Sequence, residues 1–97
     1  MENEIYLTKL YDYYSSILTD KQRSYFEDYY FNNLSLLEIS ENYNISRNAV
    51  HKQIKEVVLK LEDLESKLKI YEKEKELERM FENNPDILNK IKQIMNK

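Results

Sequence analysis

Apolar residues recur along this chain at three- and four-residue intervals, the spacing that lines one face of an α-helix. Leu7, Leu10, Tyr11, Tyr14, Ile17 and Leu18 follow that rule and predict an N-terminal helix with one buried face. Thr19, with Gln22 three residues on, is a capping box that starts a second helix from about Asp20 to Phe31. There Tyr25, Phe26, Tyr29 and Tyr30 predict an aromatic inner face, while Lys21, Arg23, Glu27 and Asp28 face water. Tyrosines can stack nucleic-acid bases, but aromatic residues at helical spacing predict core packing instead.

The stretch SLLEISENYNISRNAVHKQIK, residues 35–55, has the layout of helix, tight turn and second helix. Ser35 and Glu38 repeat the capping-box spacing and start a short third helix that runs to about Asn42. Tyr43-Asn44-Ile45 is the turn. Asn44 stands where the backbone needs a positive φ, a conformation asparagine tolerates better than most side chains. Ser46 then caps a fourth helix.

Val50, Ile54, Val57, Leu61, Leu64, Leu68 and Tyr71 alternate four and three apart, a heptad seam that predicts an unbroken fourth helix as far as Tyr71. Such a helix would rise roughly 39 Å at about 1.5 Å per residue, more than a small bundle covers. The seam therefore predicts a homodimer through Leu61–Tyr71; the alternative is a monomer in which the last helix folds back onto it. EKEKELER, residues 72–79, reads as a solvated helical face. Asn84-Pro85 stops that helix and starts another, whose apolar stripe is Ile87, Leu88, Ile91, Ile94 and Met95.

Composition narrows the fold class to all-α. The 97 residues include no glycine and one proline, so the turn residues of β-hairpins are scarce, and 34% of the chain is charged. With no cysteine, disulfides, thiolate metal sites and cysteine nucleophiles are excluded. Absent glycine also removes phosphate-cradling loops, and the single histidine, His51, has no partner set for acid-base or metal chemistry, so neither an enzyme nor a cofactor is expected. No segment approaches the roughly 18 apolar residues of a membrane span, and no basic-then-apolar leader opens the chain, so the expectation is a cytoplasmic protein.

Residues 35–55 resemble the helix-turn-helix of region four of bacterial sigma factors, with Leu36, Ile39, Ser40, Tyr43, Ile45, Val50 and Ile54 in its inward positions. The wider run LTDKQRSYFEDYYFNNLSLLEISENYNISRNAVHKQIK, followed by LEDLESKLKIYEK, resembles the YlxM-like family of small helix-turn-helix proteins over residues 5–80. That resemblance implies an all-helical protein with a regulatory or accessory role linked to the signal recognition particle. At Lys67-Leu68-Lys69 the sequence departs from a family pattern in which glycine is frequent, and a bend there loses its usual residue. Residues 1–61 are then the helix-turn-helix domain and residues 62–97 a helical extension.

Helix geometry places Arg47, Asn48, His51, Lys52 and Lys55 on the N-terminal and outward surfaces of the fourth helix, the positions with which such a helix reads DNA. Arginine pairs with guanine and asparagine with adenine, whereas lysines neutralise phosphates, so Arg47 and Asn48 are the base-reading candidates. Within residues 44–61, Arg47, Lys52, Lys55 and Lys60 against Glu56 give +3, leaving −6 for the rest of a chain whose net charge is −3. Glu38 and Glu41 on the preceding helix oppose phosphate binding. Two functions fit: a DNA-binding regulator, or a helical accessory module that binds protein or ribonucleoprotein components of the signal recognition particle. A cationic helix face can also be no more than a solvated surface.

Overall fold

The computed structural model describes residues 3–95, an all-helical chain: α1 (Glu4–Tyr14), α2 (Asp20–Tyr30), α3 (Leu36–Tyr43), α4 (Arg47–Leu68), α5 (Ile70–Met80) and α6 (Pro85–Met95), with a 3₁₀ turn, Ser15–Ile17, after α1. Helix α4 is the spine, packing against α1, α2 and α3. Its inward residues Val50, Ile54, Val57 and Leu61 are fully buried among Leu7, Leu10, Tyr14, Leu18, Tyr25, Phe26 and Ile39. Aromatic rings fill much of the space between α1 and α2, with Tyr11 stacked on Phe26 at 4.6 Å between centroids.

The starts of the helices follow the expected chemistry. The Thr19 hydroxyl accepts from the Gln22 N–H at 3.1 Å while the Gln22 side chain accepts from the Thr19 N–H at 3.0 Å, and Ser35 with Glu38 repeats the arrangement at 3.1 and 3.0 Å. Asn84 caps α6 by accepting from the Ile87 N–H at 3.4 Å, with Pro85 in the first helical position.

Two expectations for the N-terminal half are corrected. Ile17 is 49% exposed, because the chain leaves the α-helix after Tyr14 and the 3₁₀ turn rotates Ile17 off the buried face. Arg23 does not simply face water: its Nη1 donates to the carbonyls of Ser15 at 2.9 Å and Leu18 at 2.7 Å, closing the end of that turn. Glu27 and Asp28 are also partly buried, and Asp28 accepts from the Tyr43 hydroxyl at 3.1 Å, tying α2 to α3. Tyr29 is half-buried, while Tyr25, Phe26 and Tyr30 are buried.

The larger correction is at Lys69. Helix α4 ends at Leu68, and Lys69 adopts the left-handed conformation, φ 57° and ψ 33°, that turns the chain into α5 without a glycine. A non-glycine residue there costs roughly 1–2 kcal/mol. The compensation comes from Glu65, which is only 7% exposed. Its Oε1 accepts from the Tyr14 hydroxyl at 2.6 Å and the Tyr71 N–H at 3.0 Å, and its Oε2 accepts from the Glu72 N–H at 3.1 Å. The Tyr14 hydroxyl in turn accepts from the Ile70 N–H at 3.2 Å. A carboxylate from α4 thus caps α5, where N–H groups and the helix dipole favour negative charge. Burial first, and then the bond to Glu65, push the Tyr14 phenol up to about 12, so it stays a donor.

The bend returns α5 along α1, where Tyr71 meets the edge of Tyr6 at 5.1 Å. The seam is therefore interrupted: Leu61 is buried, Leu64 partly buried against the core, Leu68 45% exposed, and Tyr71 belongs to a different helix. Helix α6 lies beside α5, where Lys92 approaches Glu78 at 3.9 Å.

Two stability outcomes follow from this packing. Ile45→Ala, in the turn that joins α3 to α4, should cost about 2–4 kcal/mol through the cavity it leaves, read as a fall in the denaturation midpoint; an unchanged midpoint would contradict the packing. Glu65→Ala should cost about 2–3 kcal/mol, because it strands the Tyr14 hydroxyl and the α5 N–H groups, and should speed proteolysis near Lys69. Wild-type stability and cleavage in that variant would show that Glu65 does not hold the bend.

Candidate nucleic-acid interface

The orientation of α4 is set at its N-terminus. Asn44 ends α3 with φ 55° and ψ 46°, the left-handed geometry its position demanded, and the Ile45 N–H returns to the Ser40 carbonyl at 3.0 Å. Ser40, 6% exposed, is small enough for α3 and α4 to approach each other. Tyr43, at the end of α3, and Ile45, in the turn, pack against the core. The Ser46 hydroxyl then accepts from the Ala49 N–H at 3.1 Å and starts α4.

With Val50, Ile54 and Val57 at zero exposure, the helical repeat fixes what points away. Arg47, Asn48, His51, Lys52 and Lys55 are all exposed. Among the described residues, none of Arg47, Lys52 and Lys55 takes part in an ion pair, whereas Arg23, Lys67, Lys75 and Lys92 do. Lys60, which contributes to the local positive charge, is half-buried.

The structure divides the five residues in a way the sequence did not indicate. His51 and Lys55 line a groove of about 540 Å³ between α4 and the start of α1, together with Asn3, Leu7, Val58 and Glu62. Arg47, Asn48 and Lys52 lie outside that groove. Asn3 is more than forty residues from His51 in sequence, and no local pattern signals their proximity.

Carboxylates stand close by in the chain. Glu38 and Glu41 are exposed on α3, and the backbone and hydroxyl hydrogen bonds from Ser35 hold the Glu38 carboxyl below its usual range, so it remains anionic. Among the described residues, no group of three or more His, Cys, Asp or Glu side chains could hold a metal ion, and no helix is long and apolar enough to cross a membrane.

Comparison with known proteins agrees with this architecture. The family model described as "Putative helix-turn-helix protein, YlxM / p13 like" matches residues 1–97. A UPF0122 protein of Bacillus velezensis is 42% identical over 81 residues, covering 84% of this chain and 74% of its own length. A UPF0122 protein of Halalkalibacterium halodurans is 36% identical over 97 residues, all of this chain and 83% of its own. One from Fusobacterium nucleatum is 42% identical over 77 residues, 79% of this chain and 75% of its own. From the turn at Asn44 to the capped start of α4, the chain has the parts of a helix-turn-helix, and it belongs to the YlxM / p13-like UPF0122 family.

Proposed function

We propose that this protein is a DNA-binding regulator that inserts the N-terminal half of α4 into the major groove. One observation carries the reading: Arg47, Asn48, His51, Lys52 and Lys55 share the exposed side of a helix whose opposite side is wholly buried. A duplex needs a projecting helix with hydrogen-bonding side chains near its start and cations to neutralise phosphate. Arg47 and Asn48 occupy the first turn and read base edges; Lys52 and Lys55 neutralise backbone; His51 contacts the groove wall. In this reading residues 1–61 are the reading unit, residues 62–97 an extension, and the protein works in the cytoplasm. A homodimer would present two such helices to paired half-sites.

The second reading is an accessory module for protein or ribonucleoprotein components of the signal recognition particle. The exposed Glu38 and Glu41, and a net charge of −3, favour it because they oppose a phosphate backbone. An unbiased selection of DNA by the purified protein, beside capture of partners from extract, separates the two. A recovered sequence motif supports DNA readout; particle components without a motif support the accessory role.

On a selected site, Arg47→Ala should relax base preference at one position and cost about 1–3 kcal/mol. Lys52→Ala and Lys55→Ala should weaken all sequences alike and flatten the salt dependence by about one phosphate each. Equal affinity of wild type and the triple alanine variant at low salt would overturn the reading.

A further inference from the structure

The two faces of the C-terminal half do not match the path of a single helix. Helix α4 buries Val50, Ile54, Val57 and Leu61, whereas the less exposed residues of α5 are Ile70, Tyr71, Glu74, Leu77 and Glu78. At about 100° per residue, Ile70, Glu74 and Leu77 fall on the opposite side of a continuous helix from Leu61. In the bent chain this causes no conflict, because Lys69 redirects α5 so that its inner side reaches α1 and Tyr6.

The bend rests on a residue poorly suited to it. Lys69 is a non-glycine residue in the left-handed region, and the N–H groups of Ile70, Tyr71 and Glu72 have lost their helical acceptors and depend on Tyr14 and Glu65. Beyond the bend, neither α5 nor α6 contributes a buried residue. The flanking residues favour helix: Leu68 and Tyr71 continue the α4 spacing, and Glu65 to Met80 contains neither glycine nor proline.

We propose that Lys69 is a hinge at which two copies of this chain exchange their C-terminal arms. Opened, α4 and α5 join in one helix, Lys69 returns to helical φ, and the three N–H groups bond to the carbonyls of Ser66, Lys67 and Leu68. The inner side of α5 then faces away from its own body, and α1 of the same chain can no longer cover it. The surface that fits it is the one it already covers in the bent form, the Tyr6 side of α1, on a second copy. The partner is therefore another molecule of this protein: the interface reuses the packing of α5 on α1, while the N–H bonds to Tyr14 and Glu65 are exchanged for helical ones, which makes exchange a low-cost route to a dimer.

Variants at Lys69, an exposed position, set the hinge in opposite directions. Lys69→Gly relieves the left-handed conformation and should shift the monomer–dimer equilibrium at least tenfold toward monomer in sedimentation. Lys69→Thr, whose branched Cβ resists that conformation, should shift it at least tenfold toward dimer. Exchange is distinguished from side-by-side pairing by cross-linking, which the cysteine-free chain permits. Glu62 on the body and Glu72 on the arm are exposed and line one crevice in the bent chain, but would lie roughly 15 Å apart along a straight helix. When Glu62→Cys and Glu72→Cys chains, both carrying Lys69→Thr, are unfolded, mixed and refolded, a short bismaleimide should link them between molecules. Dimers that lack this link, or a Lys69→Thr protein that is no more dimeric than Lys69→Gly, would overturn the proposal. If the threonine variant fails to fold, the same cross-link and the glycine comparison on the wild-type hinge decide it.

Discussion

Everything else in this molecule depends on the burial of one side of α4. Val50, Ile54, Val57 and Leu61 have no exposed surface, and three other helices are arranged to achieve that. Each such side chain contributes about 1.5–3 kcal/mol relative to exposure, so rotation of α4 about its axis is strongly opposed. The outward set is fixed by the same stroke, because a helix that cannot rotate cannot exchange its faces. Arg47, Asn48, His51, Lys52 and Lys55 project as a direct consequence of what the opposite side buries.

The capped turn before α4 adds the second constraint. Asn44 in the left-handed region and Ser46 as a cap determine where α4 begins, and Ile45 anchors the turn to the core. A one-residue error there would move Arg47 and Asn48 around the helix by about 100°. Local backbone chemistry and distant apolar packing therefore agree on one register, the consistency expected of a well-specified fold.

Much of this was legible in the sequence because it is local. Capping boxes at Thr19 and Ser35, the positive φ at Asn44 and the Asn84-Pro85 start of α6 are written in adjacent residues. What escaped was non-local. The heptad spacing through Leu61, Leu64, Leu68 and Tyr71 predicted a straight helix, yet a carboxylate at position 65 and a phenol at position 14 hold a bend there. A signal did exist: the apolar stripe changes sides between Leu68 and Ile70, which a single helix packed on one body cannot accommodate. Likewise Arg23 reads as a surface cation until the open carbonyls of Ser15 and Leu18 are placed beside it. The groove that joins His51 and Lys55 to the start of α1 is a product of tertiary packing alone.

The bend also separates two roles within one small protein, a body that orients α4 and an arm that makes no fully buried contact. The claim that matters most is that the outward side of α4 is a nucleic-acid-reading surface. Its most direct test is amide chemical-shift mapping of the protein titrated with a duplex recovered by selection. The account predicts that the largest changes fall on residues 46–55, with smaller ones at the start of α1 beside the His51–Lys55 groove and none on α6. Changes confined to α5 and α6, or a spectrum unmoved by every duplex at low salt, would contradict it.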